Sequence, residues 1–422
     1  MLPNIHQLGH AVHALAAILP LRHPADAALS HYFRSHHELG AKDRAFAAET
    51  VYAVLRRKRL LEHFAGPDAT PRQLILAALA RLQGLSLRDL APLLAEGEDE
   101  WLKRIKAAPA DALPAAVQAD FPDWLMERLS AFMPPAEILA LARGMQQAAP
   151  LDLRVNTLLA GREEVLRSLA ADGIEAAPTP YSPLGIRLKG KPSLARHALF
   201  LGGKVEVQDE GSQLLGYLVA PRRGEMVVDF CAGAGGKALL LGALMQSQGR
   251  LYAFDVSEKR LNNLKPRLKR SGLSNLHPQL ISNENDIKIK RLHGKIDRVL
   301  VDAPCSGLGT LRRNPDLKWR QTPQDIAELV AKQAAILAAA AKLLKPGGRL
   351  VYATCSILPE ENEEIVAGFL AANPQFRPLN CAEILAQQQI VIPDAGESQL
   401  RLYPHRHGTD GFFAAALERI AG

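Results

Sequence analysis

The chain has 422 residues, of which 48% are hydrophobic and 23% charged, with a net charge of +7 and an isoelectric point near 9.2. That length exceeds what one hydrophobic core usually organises, so two or three domains are expected, and the basic balance favours a polyanionic partner. Four unevenly spaced cysteines make neither a disulfide framework nor a zinc pattern. No apolar run of about 18 residues is present to span a bilayer, and no secretory leader pattern is evident. A reducing, cytoplasmic setting with no metal and no membrane contact is expected.

From His6 to about Phe132, Ala and Leu recur at helical spacing in Ala11–Leu19, Arg44–Leu61, Arg72–Leu82 and Trp124–Phe132. Breakers fall between them at Pro20, Gly66-Pro67, Gly84 and Pro122, and Pro134-Pro135 close the region. Residues 1–135 are therefore expected to form an all-helical domain. Leu151–Asn156 alternates like a strand, Arg162–Ala171 reads as an amphipathic helix, and Gly185–Leu188 is β-like among prolines and glycines. This predicts a small α+β module over 136–204. From Val205 onward strands and helices alternate. Strands are expected at Met226–Asp229, Arg250–Asp255, Gln279–Ile281, Arg298–Asp302 and Arg349–Ala353. Helices are expected near Gly211–Val219, Lys237–Met245, Glu258–Ser271, Pro323–Leu344 and Glu360–Asn373. The pattern predicts an α/β fold over 205–422, a doubly wound, mostly parallel sheet, with a last strand from the Thr409–Ala415 tail.

Three strand ends carry the chemistry. Val227-Val228-Asp229-Phe230 runs into Cys231-Ala232-Gly233-Ala234-Gly235-Gly236-Lys237. The glycines let backbone approach a cofactor, and Asp255, at the end of the next strand, is placed to accept from ribose hydroxyls. On this motif alone a nicotinamide dinucleotide and S-adenosylmethionine both fit. Lys237 is either a solvated helix residue or a contact to a cofactor carboxylate or substrate. Two thiols, Cys305 in Asp302-Ala303-Pro304-Cys305-Ser306-Gly307 and Cys355 in Thr354-Cys355-Ser356, follow the other two strands. Open α/β sheets bind ligands beyond such carboxyl ends. Hydride transfer needs no thiols there, whereas methylation at carbon 5 of a pyrimidine does. A thiolate adding to carbon 6 makes carbon 5 nucleophilic enough to attack a methyl sulfonium. Asp302 is placed to hydrogen-bond the ring nitrogen of that adduct.

The runs Asp302–Gly307, Tyr352–Ser356 and Pro359-Glu360-Glu361-Asn362-Glu363 resemble the RNA 5-methylcytosine methyltransferases of the Sun/Fmu, NOL/NOP2 group. The resemblance implies a Rossmann-like S-adenosylmethionine-dependent methyltransferase sheet, with Cys355 as nucleophile and Cys305 assisting product release. It places the cofactor on Cys231, Ala232, Gly233, Ala234 (where the family has Pro), Gly235, Gly236 and Lys237, with Asp302 beside it. Asp255 matches the ribose carboxylate, and the adenine contact falls to Glu284 or Asp286. Upstream, Leu39–Arg44 and Val54–Arg57 look like the NusB-like helical domain of the bacterial 16S ribosomal RNA enzymes in this group. Pro122–Leu125 and Leu153–Asn156 resemble the junction and the small RRM-like module that precede the catalytic domain there. The resemblance thus implies RNA, small-subunit ribosomal RNA in particular, as partner, and the chain is expected to act as a monomer. Two other readings are an assembly factor that holds RNA without catalysis and an NAD-dependent oxidoreductase. Basic clusters at Arg56–Arg59, Lys259–Arg270, Lys288–Arg298 and Arg312–Arg320 are read as phosphate contacts or solvated faces.

Overall fold

The structure, a computed structural model, describes residues 2–109 and 113–420. Residues 1, 110–112 and 421–422, which belong to the expected 1–135 and 205–422 segments, lie outside the described residues. Two compact units are present, Met1–Ala148 with Thr310–Pro323, and Ala149–Gly309 with Gln324–Gly422.

The first unit is helical because its apolar residues recur on one face of each segment. Helices Ile5–Ile18, Ala25–Ser35, Ala41–Arg56, Lys58–Ala65, Pro71–Arg81, Glu98–Ala107, Asp123–Ser130 and Pro135–Gln146 are its main elements. Leu8, Leu15, Val51, Leu55, Leu61 and the run Leu74–Leu79 form its core. The single helix expected over Arg44–Leu61 is interrupted at Arg57, whose φ of −119° caps one helix and starts the next. Pro134-Pro135 do not end the unit. Pro135 sits at the first position of a helix, where no N–H is needed, so helix continues to Gln146. The segment Thr310–Pro323 packs within this unit. The Trp319 indole N–H donates to Leu55 O at 2.9 Å, Lys318 Nζ to Arg56 O at 2.9 Å, and Ala25 N–H to Asp316 Oδ2 at 3.2 Å.

The second unit holds two sheets. In the smaller, β1 (Leu151–Val155), β2 (Ala176–Pro178), β3 (Gly185–Leu188) and β4 (Val205–Val207) lie antiparallel in the order β2-β3-β1-β4, with helix Arg162–Ala171. Val205 therefore closes the small sheet, pairing with Val155, and does not open the large one.

The large sheet comprises β5 (Met226–Asp229), β6 (Arg250–Asp255), β7 (Leu276–Leu280), β8 (Ile296–Asp302), β9 (Leu344–Thr354), β10 (Phe376–Leu379), β11 (Gln399–Leu402) and β12 (Phe412–Arg419). Its order is β10-β12-β9-β8-β5-β6-β7, with β11 also on β12. β9, β8, β5, β6 and β7 are parallel, and β12 enters antiparallel to β9. The strand expected at Gln279–Ile281 starts earlier, at Leu276. It tolerates Pro278 because β7 is the edge strand, where a missing N–H breaks no inner ladder. Val227, Leu251, Leu300, Val351 and Ala414 fill one face of the sheet, and Val228, Phe254, Val299, Tyr352 and Phe413 the other. Strand order reverses between β5 and β8, and at such a switch point the loops diverge and leave a crevice.

Candidate active site

Register places the thiols together. Asp302 is paired with Ala353, and Ala303 N–H donates to Ala353 O at 2.9 Å, so the loops after β8 and β9 leave the sheet side by side. Cys305 Sγ and Cys355 Sγ end 3.4 Å apart. Both line a cavity of about 660 Å³ that also exposes Cys231, Ala232, Gly233, Ala234, Asp255, Glu284 and Asp302. This is the size range of small-molecule sites.

The turn after β5 fits a nucleoside cofactor. Gly233 adopts a left-handed φ of +57°, with nothing within 4 Å of where a Cβ would stand. The Asp255 carboxylate accepts from Gly233 N–H at 2.8 Å and Ser257 N–H at 2.7 Å, so it is fixed in the cavity wall with lone pairs to spare for hydroxyl groups. From behind, Arg267 Nη1 donates to Ala234 O at 2.6 Å and Arg154 Nη1 to Gly236 O at 2.5 Å. Neither arginine was expected at the cofactor turn: Arg267 was read as part of a basic, RNA-facing cluster, and Arg154 comes from β1, more than seventy residues upstream of the turn. Of the two acids considered for the adenine, Glu284 lines the cavity. Asp286 caps its own short helix, accepting from Lys288 N–H and Ser282 N–H.

Three other residues expected at the cofactor are outside the cavity wall. A Cβ on Gly235 would stand 2.1 Å from Leu264 Cδ1, so this glycine, at φ +82°, serves the packing of helix Glu258–Ser271. Gly236 begins the helix after the turn. Lys237 Nζ bonds Asp302 Oδ2 at 2.7 Å and lies 5.9 Å from the centre of the Phe412 ring. Burial works against its charge, but Asp302, with lesser contributions from Cys355 and Asp229, raises its pKa on balance. Lys237 thus holds the Asp302 carboxylate and sets a positive charge near Cys355.

Beneath the thiols lies a group the sequence reading left unassigned, the fully buried Glu361. Oε1 accepts from Ser306 N–H at 2.8 Å and Gln333 Nε2 at 3.0 Å, and Oε2 accepts from Ser306 Oγ at 2.5 Å and from Ser356 Oγ. Ser306 and Ser356 each follow a cysteine, so one carboxylate fastens both loops. Gln333 also donates to Pro304 O at 3.0 Å, and Thr354 Oγ1 to Asn362 Oδ1 at 2.5 Å. The bond to Cys355 and burial, together with the charges of Cys355 and Glu361, push the Cys305 thiol well above its ordinary pKa.

The basic clusters are largely spoken for. Arg298 is buried against Glu225, and Arg267 and Arg270 both pair with Glu206. In the helical unit Arg57 pairs with Asp120 and Arg59 with Asp123. Arg312 and Lys318 are buried, and burial pulls the Lys318 pKa down to about 7. Lys259, Lys265, Lys269, Lys290, Arg291 and Lys295 remain exposed.

Fold and crevice together are those of a Rossmann-like methyltransferase. Residues 216–418 match the model of the family described as 16S rRNA methyltransferase RsmB/F. Residues 121–195 match the ferredoxin-like domain of RsmF/B-like methyltransferases. A probable ribosomal RNA small subunit methyltransferase B of Synechocystis sp. is 34% identical over 421 residues, covering 91% of this chain and 93% of the relative. The crystal structure of PH0851 superimposes with a TM-score of 0.81 at 28% identity, covering 99% of both chains. That of NSun6 from Pyrococcus horikoshii with SFG does so with 0.64 at 23% identity, covering 72% of this chain and 99% of the other.

The chain belongs to the RsmB/F family of 16S rRNA methyltransferases. Its methyl donor is S-adenosyl-L-methionine and not a nicotinamide dinucleotide. No helix among the described residues is long and apolar enough to cross a membrane.

Proposed function

We propose that the protein methylates carbon 5 of a cytosine in small-subunit ribosomal RNA through a covalent Cys355 adduct. The observation that carries this reading is the 3.4 Å approach of two thiols in the wall of the cofactor cavity. Cys355, near the Lys237 charge, adds as thiolate to carbon 6. Asp302, held by Lys237, faces the base edge. The cofactor, bound along Cys231–Ala234 with Asp255 and Glu284 at its nucleoside, supplies a methyl group on a cationic sulfur. Loss of the carbon 5 proton to a base then re-forms the ring double bond and expels Cys355. The protonated Cys305, in contact with the departing sulfur, stabilises it as thiolate.

A paired cytosine cannot reach a thiol without being unstacked, so an open or transiently opened RNA segment is the substrate. The helical domain and the exposed lysines are the RNA-holding surfaces, and a monomer acting in the cytoplasm fits this role. Bisulfite sequencing of 16S rRNA from cells with and without the gene tests the proposal. A discrete protected cytosine that disappears with the gene and returns with purified protein and S-adenosylmethionine is expected. An unchanged bisulfite pattern, with the protein still bound to RNA, would favour the non-catalytic assembly factor.

A further inference from the structure

The helical unit holds a cluster of metal-ligating side chains that methyl transfer does not use. His10 lies on helix Ile5–Ile18, and His36 and Glu38 lie just after helix Ala25–Ser35. Each places a ligand atom within 4.8 Å of the other two. His10 Nε2 stands 3.9 Å from Glu38 Oε1 and 3.2 Å from Nε2 of His6, one helical turn earlier. Two ligands bound tetrahedrally to a zinc ion at about 2.0–2.1 Å stand about 3.3 Å apart, so the spacing is already close to that of an occupied site.

The tautomers point the same way. His36 Nδ1 is 2.8 Å from the Tyr32 carbonyl oxygen, and Tyr32 stacks on the His36 ring at 4.0 Å. A carbonyl oxygen only accepts, so the ring proton is assigned to Nδ1, and Nε2 keeps its lone pair. His10 Nδ1 lies 2.8 Å from the Tyr32 hydroxyl, which can accept its proton and so leave Nε2 free to bind a cation. One residue, Tyr32, thus orients both imidazoles through their far nitrogens, which is the outer-shell arrangement of metal-binding histidines. The His6 and His10 Nε2 atoms share a hydrogen bond at 3.2 Å, and a bound cation would take the place of its proton.

We propose that His10, His36 and Glu38 bind one divalent transition-metal ion, with the exposed His6 turning in as fourth ligand. Imidazole and carboxylate donors suit zinc, and also nickel or copper, over magnesium or calcium. The ion would clamp the first helix to the turn that precedes helix Ala41–Arg56, a structural role separate from the thiol chemistry.

The test uses the full-length protein after chelation and dialysis, titrated with Co²⁺ and then Zn²⁺ and followed by visible absorption and calorimetry. One equivalent of Co²⁺ bound with visible d–d bands and no thiolate charge-transfer band, then displaced by Zn²⁺, is the expected result. It distinguishes this cluster from metal captured by Cys305 and Cys355. His10→Ala and Glu38→Gln should each weaken binding at least tenfold, and Tyr32→Phe several-fold. Because Glu38 is exposed, its variant reports even if the others unfold. Absence of a stoichiometric site, a thiolate-type spectrum, or affinity unchanged in Glu38→Gln would overturn the assignment.

Discussion

Two buried carboxylates sit at the two ends of the active-site crevice, and the fold treats them in opposite ways. Glu361, under the thiol loops, is satisfied by two serine hydroxyls, a backbone N–H and a side-chain amide. Asp229, at the end of β5 under the glycine turn, is equally buried, yet no side-chain donor reaches its oxygens and only the Cys231 backbone supports its charge. Burial, reinforced by the charge of Asp302, raises its pKa to about 7, although Lys237 pulls it the other way. A buried carboxylate with four donors holds loops in place, whereas one with little support stays close to changing its charge. The thiol end is therefore built for geometry, and the turn end is electrostatically responsive.

The largest expected effect is at the thiol end. Cys355→Ala should abolish methyl transfer, and Cys305→Ala should permit methylation but stall release, leaving enzyme on RNA as a denaturant-resistant complex on gels. Next comes Glu361. Glu361→Ala strands several buried donors at about 1–3 kcal/mol each, which denaturant titration would detect. Glu361→Gln keeps the volume but turns one acceptor into a donor. It should lower kcat about 10–1000-fold while S-adenosylmethionine affinity stays within about threefold, since misplacing reacting atoms costs rate rather than binding. Equal losses in both quantities would show that Glu361 merely holds the fold.

Asp229 should behave differently. With a folded pKa near 7 against 3.8 unfolded, it is protonated when folded and ionised when unfolded between those values. The protein then loses about 1.4 kcal/mol of stability per unit as pH rises through that window, and the loss levels off above it. Asp229→Asn should flatten this slope without the penalty seen at Glu361, as thermal unfolding at pH 5 and pH 7 would show. The smallest effect expected is that of Gly235→Ala, about 1–3 kcal/mol from a positive φ and a clash with Leu264.

The same contrast explains what the sequence could disclose. The thiols and the glycine turn were legible because each directly follows an apolar strand, so a few neighbouring letters place them in the crevice. Glu361 was visible only as part of the run Pro359–Glu363, and its burial depends on Ser306 and Gln333, contributed by distant segments. The arginines misled for that reason. Arg57 meets Asp120 and Arg267 meets Glu206 more than sixty residues away, and such pairing leaves no local pattern. The helix starting at Pro135 was missed because proline reads equally as a break and as a first helical residue.

Peptide mapping of the complex formed between the Cys305→Ala enzyme and small-subunit ribosomal RNA in the presence of S-adenosylmethionine is the most direct test of covalent catalysis. A nucleotide mass attached at Cys355, and absent when Cys355 is also replaced, is the predicted result. Attachment at another residue, or full turnover by the Cys355→Ala enzyme, would contradict it.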